Sequence, residues 1–126
     1  MPKILLVEDN EYNREMLSKR LERAGFQVVA AADGRQGLEM AGAELPDLIL
    51  MDLDLPEIDG WEATRRIKMD PATSSIPVIA LTAHAMEQDL KKAVVAGCDH
   101  YETKPVMFNR LMEKINACIK RRAAGD

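Results

Sequence analysis

The chain has 126 residues, 47% hydrophobic and 30% charged, which is the size and balance of one globular domain and too short for a separate substrate module. Its net charge of −4 opposes the attraction that nucleic-acid binding depends on, so no nucleic-acid partner is expected. No apolar run is long enough to span a bilayer and the Met1-Pro2-Lys3 start lacks a secretory apolar region, so a cytoplasmic protein with no membrane partner is expected.

In chain order, Ile4-Leu5-Leu6-Val7 reads as a short buried strand that stops on two carboxylates, Glu8 and Asp9. Asn10 is placed to cap a helix from Glu11 to Ala24, with Leu17, Leu21 and Ala24 facing inward and Gly25 as its stop. Phe26 to Ala30 is a Val-rich strand, followed by the Asp33-Gly34 turn. A helix over Arg35 to Glu44 follows, turning Leu38 and Ala41 inward and interrupted by Gly37 and Gly42.

Leu48 to Met51 is a continuous apolar run that ends on Asp52, the mark of a strand buried on both faces. Asp59-Gly60 leads into a helix from Trp61 to Met69, and Pro77 to Leu81 is a fourth strand ending on Thr82-Ala83. Met86 to Ala96 is a helix stopped by Gly97, Asp99 to Thr103 a short strand ending on Lys104-Pro105, and Met107 to Lys120 the last helix. Leu111, Met112, Ile115 and Ile119 give that helix an inward stripe, and Lys120-Arg121-Arg122 complement its dipole. Cys98 and Cys118 are expected to be free thiols.

Five strand-helix units with short connections predict an α/β fold: a doubly wound parallel sheet of five strands in the order 2-1-3-4-5, with five helices, flavodoxin-like. One domain over residues 1–122 and a short tail over 123–126 are expected. The first loop, Glu8-Asp9-Asn10-Glu11, lacks a glycine fingerprint, and its charge would repel a pyrophosphate. In this strand order Glu8, Asp9 and Asp52 converge at the carboxyl end of the sheet. Three ionised carboxylates there need a counter-charge, and Mg²⁺ suits one or two carboxylates together with a phosphate oxygen. Asp52 is then available as a nucleophile, while Thr82 and Lys104 end the next two strands with a hydroxyl and a cation for phosphoryl oxygens.

The set Val7-Glu8-Asp9-Asn10, Leu50-Met51-Asp52-Leu53, Pro56, Gly60, Leu81-Thr82-Ala83 and Lys104-Pro105, in this order, resembles the receiver domain of two-component response regulators over nearly the whole chain. The resemblance implies Mg²⁺ held by Glu8, Asp9, Asp52 and the backbone carbonyl of Asp54, and phosphorylation of Asp52. It further implies Thr82, with Ala83 after it, and Lys104 as switch and phosphate contacts, a cis bond before Pro105, and Asp54 and His84 as positions that tune dephosphorylation. Glu8-Asp9-Asn10 with Asn13 resembles stand-alone regulators of the DivK type and receivers attached to hybrid kinases; with no output domain after the last helix, the stand-alone form is expected.

The implied partners are a histidine kinase or histidine phosphotransfer protein as donor, and a downstream protein bound by the face that the fourth helix, fifth strand and fifth helix form. On that face Tyr101 is expected to turn inward as Thr82 moves toward the phosphoryl group. The protein is expected to catalyse only its own phosphorylation and dephosphorylation. Two alternatives remain: an excised receiver of a hybrid kinase, and a haloacid-dehalogenase-like phosphatase, suggested by Asp52-Leu53-Asp54 at a strand end and opposed by Pro56, the third-strand position and the lack of a cap module.

Overall fold

Alternating short apolar runs and amphipathic segments produce β1 (Lys3–Val7), α1 (Glu11–Arg23), β2 (Gln27–Ala31), α2 (Gly34–Glu44), β3 (Leu48–Asp52), α3 (Gly60–Met69), β4 (Val78–Thr82), α4 (Glu87–Ala96), β5 (His100–Thr103) and α5 (Phe108–Ala123). The computed structural model describes residues 1–55, 58–83 and 87–123. All neighbouring strands are parallel, in the order β2-β1-β3-β4-β5.

The three central strands β1, β3 and β4 are buried from Ile4 to Val7, Leu48 to Asp52 and Val78 to Thr82, and apolar but for the Asp52 and Thr82 that end two of them, because helices cover both faces of the sheet. On one face Leu17 and Leu21 of α1 and Leu111, Ile115 and Cys118 of α5 pack on Ile4, Leu6, Leu48, Leu50, Ile79 and Leu81. On the other, Ala41 of α2 and Ala63 and Ile67 of α3 pack on Leu5, Val7, Ile49, Met51 and Val78. The alternation of strand residues between these two clusters is the period of two that a pleated strand imposes.

Helix starts and stops sort to opposite ends of the sheet. Asn10, Asp33 and Asp59, in the loops at the carboxyl ends of β1, β2 and β3, accept hydrogen bonds from Asn13, Gln36 and Glu62 N–H and so cap α1, α2 and α3. At the other end Gly25 and Gly97 take φ of 100° and 102°, a conformation that ends a helix at low steric cost.

The structure differs from the sequence expectations at a few boundaries. Ala24 is exposed, because it is the C-cap of α1 and the inward stripe has already ended at Leu21. Phe26 is buried but precedes β2, since its N–H closes the end of α1 on the Leu21 carbonyl. Gly37 does not interrupt α2; a Cβ there would come within 3.0 Å of Val7 Cγ2, so the glycine is what lets the helix lie on β1. Asp99 is outside β5, with its carboxylate accepting from the Val78 N–H at 2.8 Å and Lys68 Nζ at 3.0 Å. α5 continues past Lys120 to Ala123, and Arg122 Nη1 donates to the Pro46 carbonyl at 3.0 Å.

Candidate functional site

Parallel pairing of β1 with β3 sets Val7 opposite Met51, which puts the next residues, Glu8 and Asp52, side by side where the two strands leave the core. Carboxylate oxygens of Glu8, Asp9 and Asp52 all lie within 4.8 Å of one another. Glu8 and Asp52 are buried and Asp9 is exposed. The turn after β3 fixes the Asp52 carboxylate, whose Oδ1 accepts from the Asp54 N–H at 2.9 Å. The helix beyond that turn fits only because residue 60 is glycine, since a Cβ would meet the Asp52 carbonyl oxygen at 2.2 Å.

Lys104 arrives from the far strand. Its N–H donates to the Thr82 carbonyl at 2.8 Å, the Lys104-Pro105 peptide is cis, and its Nζ reaches Asp52 Oδ2 at 3.1 Å and Glu8 Oε2 at 3.7 Å. Lys104 therefore faces two carboxylates of a cluster that holds a third, Asp9. Glu8 Oε2 is buried with no hydrogen-bond partner, which is costly for an acid in a region of low dielectric.

The electrostatics follow from that arrangement. Burial, reinforced by the neighbouring Asp52 carboxylate and only partly opposed by Lys104, pushes Glu8 up to about 7. Burial also works to raise Asp52, but contact with Glu8, the Asp54 N–H and Lys104 outweigh it and hold Asp52 below the usual aspartate range. For Lys104, burial acts to lower the pKa, and the Asp52 and Glu8 carboxylates overcome it and raise it. Asp52 is thus the acid kept ionised, and Glu8 is the acid whose charge lacks compensation. A hard divalent cation fits this donor set: it would satisfy the orphaned Glu8 oxygen and balance the excess negative charge with the oxygen ligands such an ion prefers.

Thr82 is buried at the end of β4, one residue beyond Leu81, which pairs with Asp52. Ala83 after it is exposed. Tyr101 pairs with Ala80 on β5 and is 40% exposed, with Lys114 Nζ 5.5 Å from its ring centre, so its ring is not in the core. His84 and Pro56 lie outside the described residues. Glu102, not singled out from the sequence, is also buried at this level of the sheet, bonded by Lys114 at 2.7 Å with Arg110 at 3.9 Å. Arg14, equally unanticipated, donates from Nη1 to the backbone carbonyl of Glu8 at 2.9 Å.

The model of the response regulator receiver domain matches residues 4–116. The chain is a receiver domain of the response-regulator family. The receiver is 40% identical over 120 residues to the polar-differentiation response regulator DivK of Brucella anthropi, covering 94% of this chain and 98% of that protein. Among solved structures it superimposes on a CheY-like receiver domain protein from Methanospirillum hungatei with a TM-score of 0.93 and 27% identity, over 100% of this chain and 99% of that one. It is also similar to the receiver of a sensor histidine kinase from Pseudomonas aeruginosa, TM-score 0.88 and 37% identity over 94% and 98% of the two chains, a structure with magnesium coordinated in its active-site cleft. The receiver is a DivK-like signalling domain of the two-component class, and the phosphatase alternative has no support from these likenesses. None of its described helices is long and apolar enough to cross a membrane.

Proposed function

We propose that this receiver accepts a phosphoryl group on Asp52 from a phosphohistidine of a kinase or phosphotransfer protein, and that the modified site changes the surface offered to a downstream protein. The observation that carries this is the Asp52 carboxylate: buried at a strand end, held through both oxygens by the Asp54 N–H and Lys104 Nζ, and kept ionised beside two further acids. A nucleophilic carboxylate must be charged and correctly aimed, and these contacts supply both conditions.

In the transfer, an oxygen of Asp52 forms the bond to phosphorus as the donor's phosphorus–nitrogen bond breaks, leaving an acyl phosphate on Asp52 and returning the electron pair to the donor imidazole. Glu8, Asp9, Asp52 and the Asp54 carbonyl would hold Mg²⁺, which when bound neutralises charge on the transferring group. Lys104 offers a cation to a phosphoryl oxygen, and the Thr82 hydroxyl a donor to another. Ala83 and His84 follow Thr82 in the sequence, and His84 and Asp54 would set the lifetime of the acyl phosphate. Inward rotation of Tyr101 would carry the change to the surface made by α4, β5 and α5. Moving a two-state equilibrium from mostly off to mostly on takes about 5 kcal/mol, within the reach of several charge-assisted hydrogen bonds to a new dianion.

Incubation with a small phosphodonor and Mg²⁺ should label the wild-type chain at Asp52 and leave Asp52→Asn unlabelled. Equal labelling of the two would rule out Asp52 as the acceptor. Thr82→Ala should still be labelled yet lose most of the gain in partner affinity that phosphorylation brings.

A further inference from the structure

Consecutive residues of an extended chain point their side chains to opposite sides. Glu8 and Asp9 are consecutive, yet their carboxylates meet that of Asp52 in one cluster. The backbone must therefore leave the strand path between them. It does: the sheet ladder ends with the Glu8 N–H on the Ala31 carbonyl at 3.0 Å, and the chain bends at Asp9.

What holds the bend is a side chain from the first turn of α1. Past the ladder, the Glu8 and Asp9 carbonyls need other donors. Arg14 Nη1 donates to the Glu8 carbonyl at 2.9 Å and reaches the Asp9 carbonyl at 3.5 Å. Arg14 is itself seated, because its own N–H closes the first turn of α1 on the Asn10 carbonyl at 2.8 Å, and the Asn10 side chain caps the same turn on the Asn13 N–H at 2.9 Å. One half-buried guanidinium thus ties the first turn of the helix to two successive carbonyls of the loop, which turns the two acids the same way.

We propose that Arg14 is a positioning residue for the divalent-cation site, setting the backbone bend that brings Glu8 and Asp9 onto Asp52. This rests on the metal assignment made above. Arg14 is a cation bonded to the backbone of two of the proposed ligands, so by electrostatic repulsion alone its removal should make the site bind a divalent cation more tightly. If its work is to position the ligands, removal should do the reverse.

Calorimetric titration of Mg²⁺ alone, without phosphodonor, into wild type, Arg14→Met and Arg14→Lys decides between them. Methionine keeps an unbranched apolar stem and removes the donors. The expected result is a Kd for Arg14→Met raised about tenfold or more, the usual effect of losing a residue that orients metal ligands. Thermal unfolding in Mg²⁺-free buffer should show the Met variant folded. Arg14→Lys keeps the charge but not the fork of donors, and should fall between. A Met variant that binds Mg²⁺ as tightly as wild type, or more tightly, overturns the positioning role while leaving the metal site intact. Should the Met variant fail to fold, wild-type affinity in Arg14→Lys overturns it instead. Absence of Mg²⁺ binding by the wild-type chain would overturn both this role and the metal assignment.

Discussion

Asp52 and Glu102 lie on one rung of the sheet, each paired with Leu81, Asp52 from β3 and Glu102 from β5. Both are 1% exposed, yet their surroundings are opposite in charge. Glu102 sits between two cations, with Lys114 at 2.7 Å and Arg110 at 3.9 Å. Asp52 shares its lysine with Glu8 and has the Asp9 carboxylate in the same cluster. Burial alone therefore does not identify a functional carboxylate; a local excess of negative charge does. Glu102 is a finished structural interaction, while Asp52 belongs to a cluster that only a ligand can balance.

The comparison breaks most visibly at Glu102. Glu102→Gln leaves Lys114 facing a weaker acceptor and removes the only carboxylate bonding it among the described residues, so unfolding in denaturant should show a loss of about 2–3 kcal/mol. A loss below about 0.5 kcal/mol would mean that this pair is no more than a surface ion pair. The next effect is at the opposite end of the sheet. Asp99 satisfies the first N–H of β4 and meets Lys68, which itself also donates to the Ile76 carbonyl at 2.7 Å. Asp99→Ala should cost about 1–2 kcal/mol, since a backbone donor loses its acceptor at a partly hydrated site. Like Glu102, it should lose stability equally with and without Mg²⁺.

Much of this architecture is legible in the sequence because it rests on short-range patterns. Strands ending on Glu8, Asp52, Thr82 and Lys104 place those residues together once a parallel sheet is assumed, since parallel strands deliver their carboxyl ends to one edge. The cap Asn10 and the stops Gly25 and Gly97 are equally local. What escaped is relational. Gly37 reads as a helix breaker until β1 is seen beneath it, and Asp99 reads as the start of a strand until its side chain is seen on Val78. The charges that separate Glu102 from Asp52 come from α5, and no spacing rule announces that Lys114 folds back on β5. Arg14 is one of many basic residues on exposed helix turns, and only the two carbonyls beneath it distinguish it.

The most informative effect is the one that changes sign. Glu8 is the acid with the uncompensated charge, its pKa raised from 4.5 to about 7 by burial and by Asp52. A carboxyl whose folded pKa lies above its unfolded value binds its proton more tightly when folded. Its contribution to stability is then complete below about pH 4.5 and is lost as pH rises through about 7. Without divalent cations, wild-type stability should therefore decline across that window. Glu8→Gln, fixed in a neutral form of similar shape, should lack that part of the decline, matching wild type near pH 4.5 and exceeding it at pH 8. Millimolar Mg²⁺ should reverse the order at pH 8, because a ligand that binds only the folded wild type stabilises it by mass action while the variant has lost a ligand. Thermal melts of both proteins at the two pH values, with and without Mg²⁺, test each step. A Gln variant less stable than wild type at pH 8 in metal-free buffer would show that the cluster is not strained by its own charge, and the contrast with Glu102 would fail.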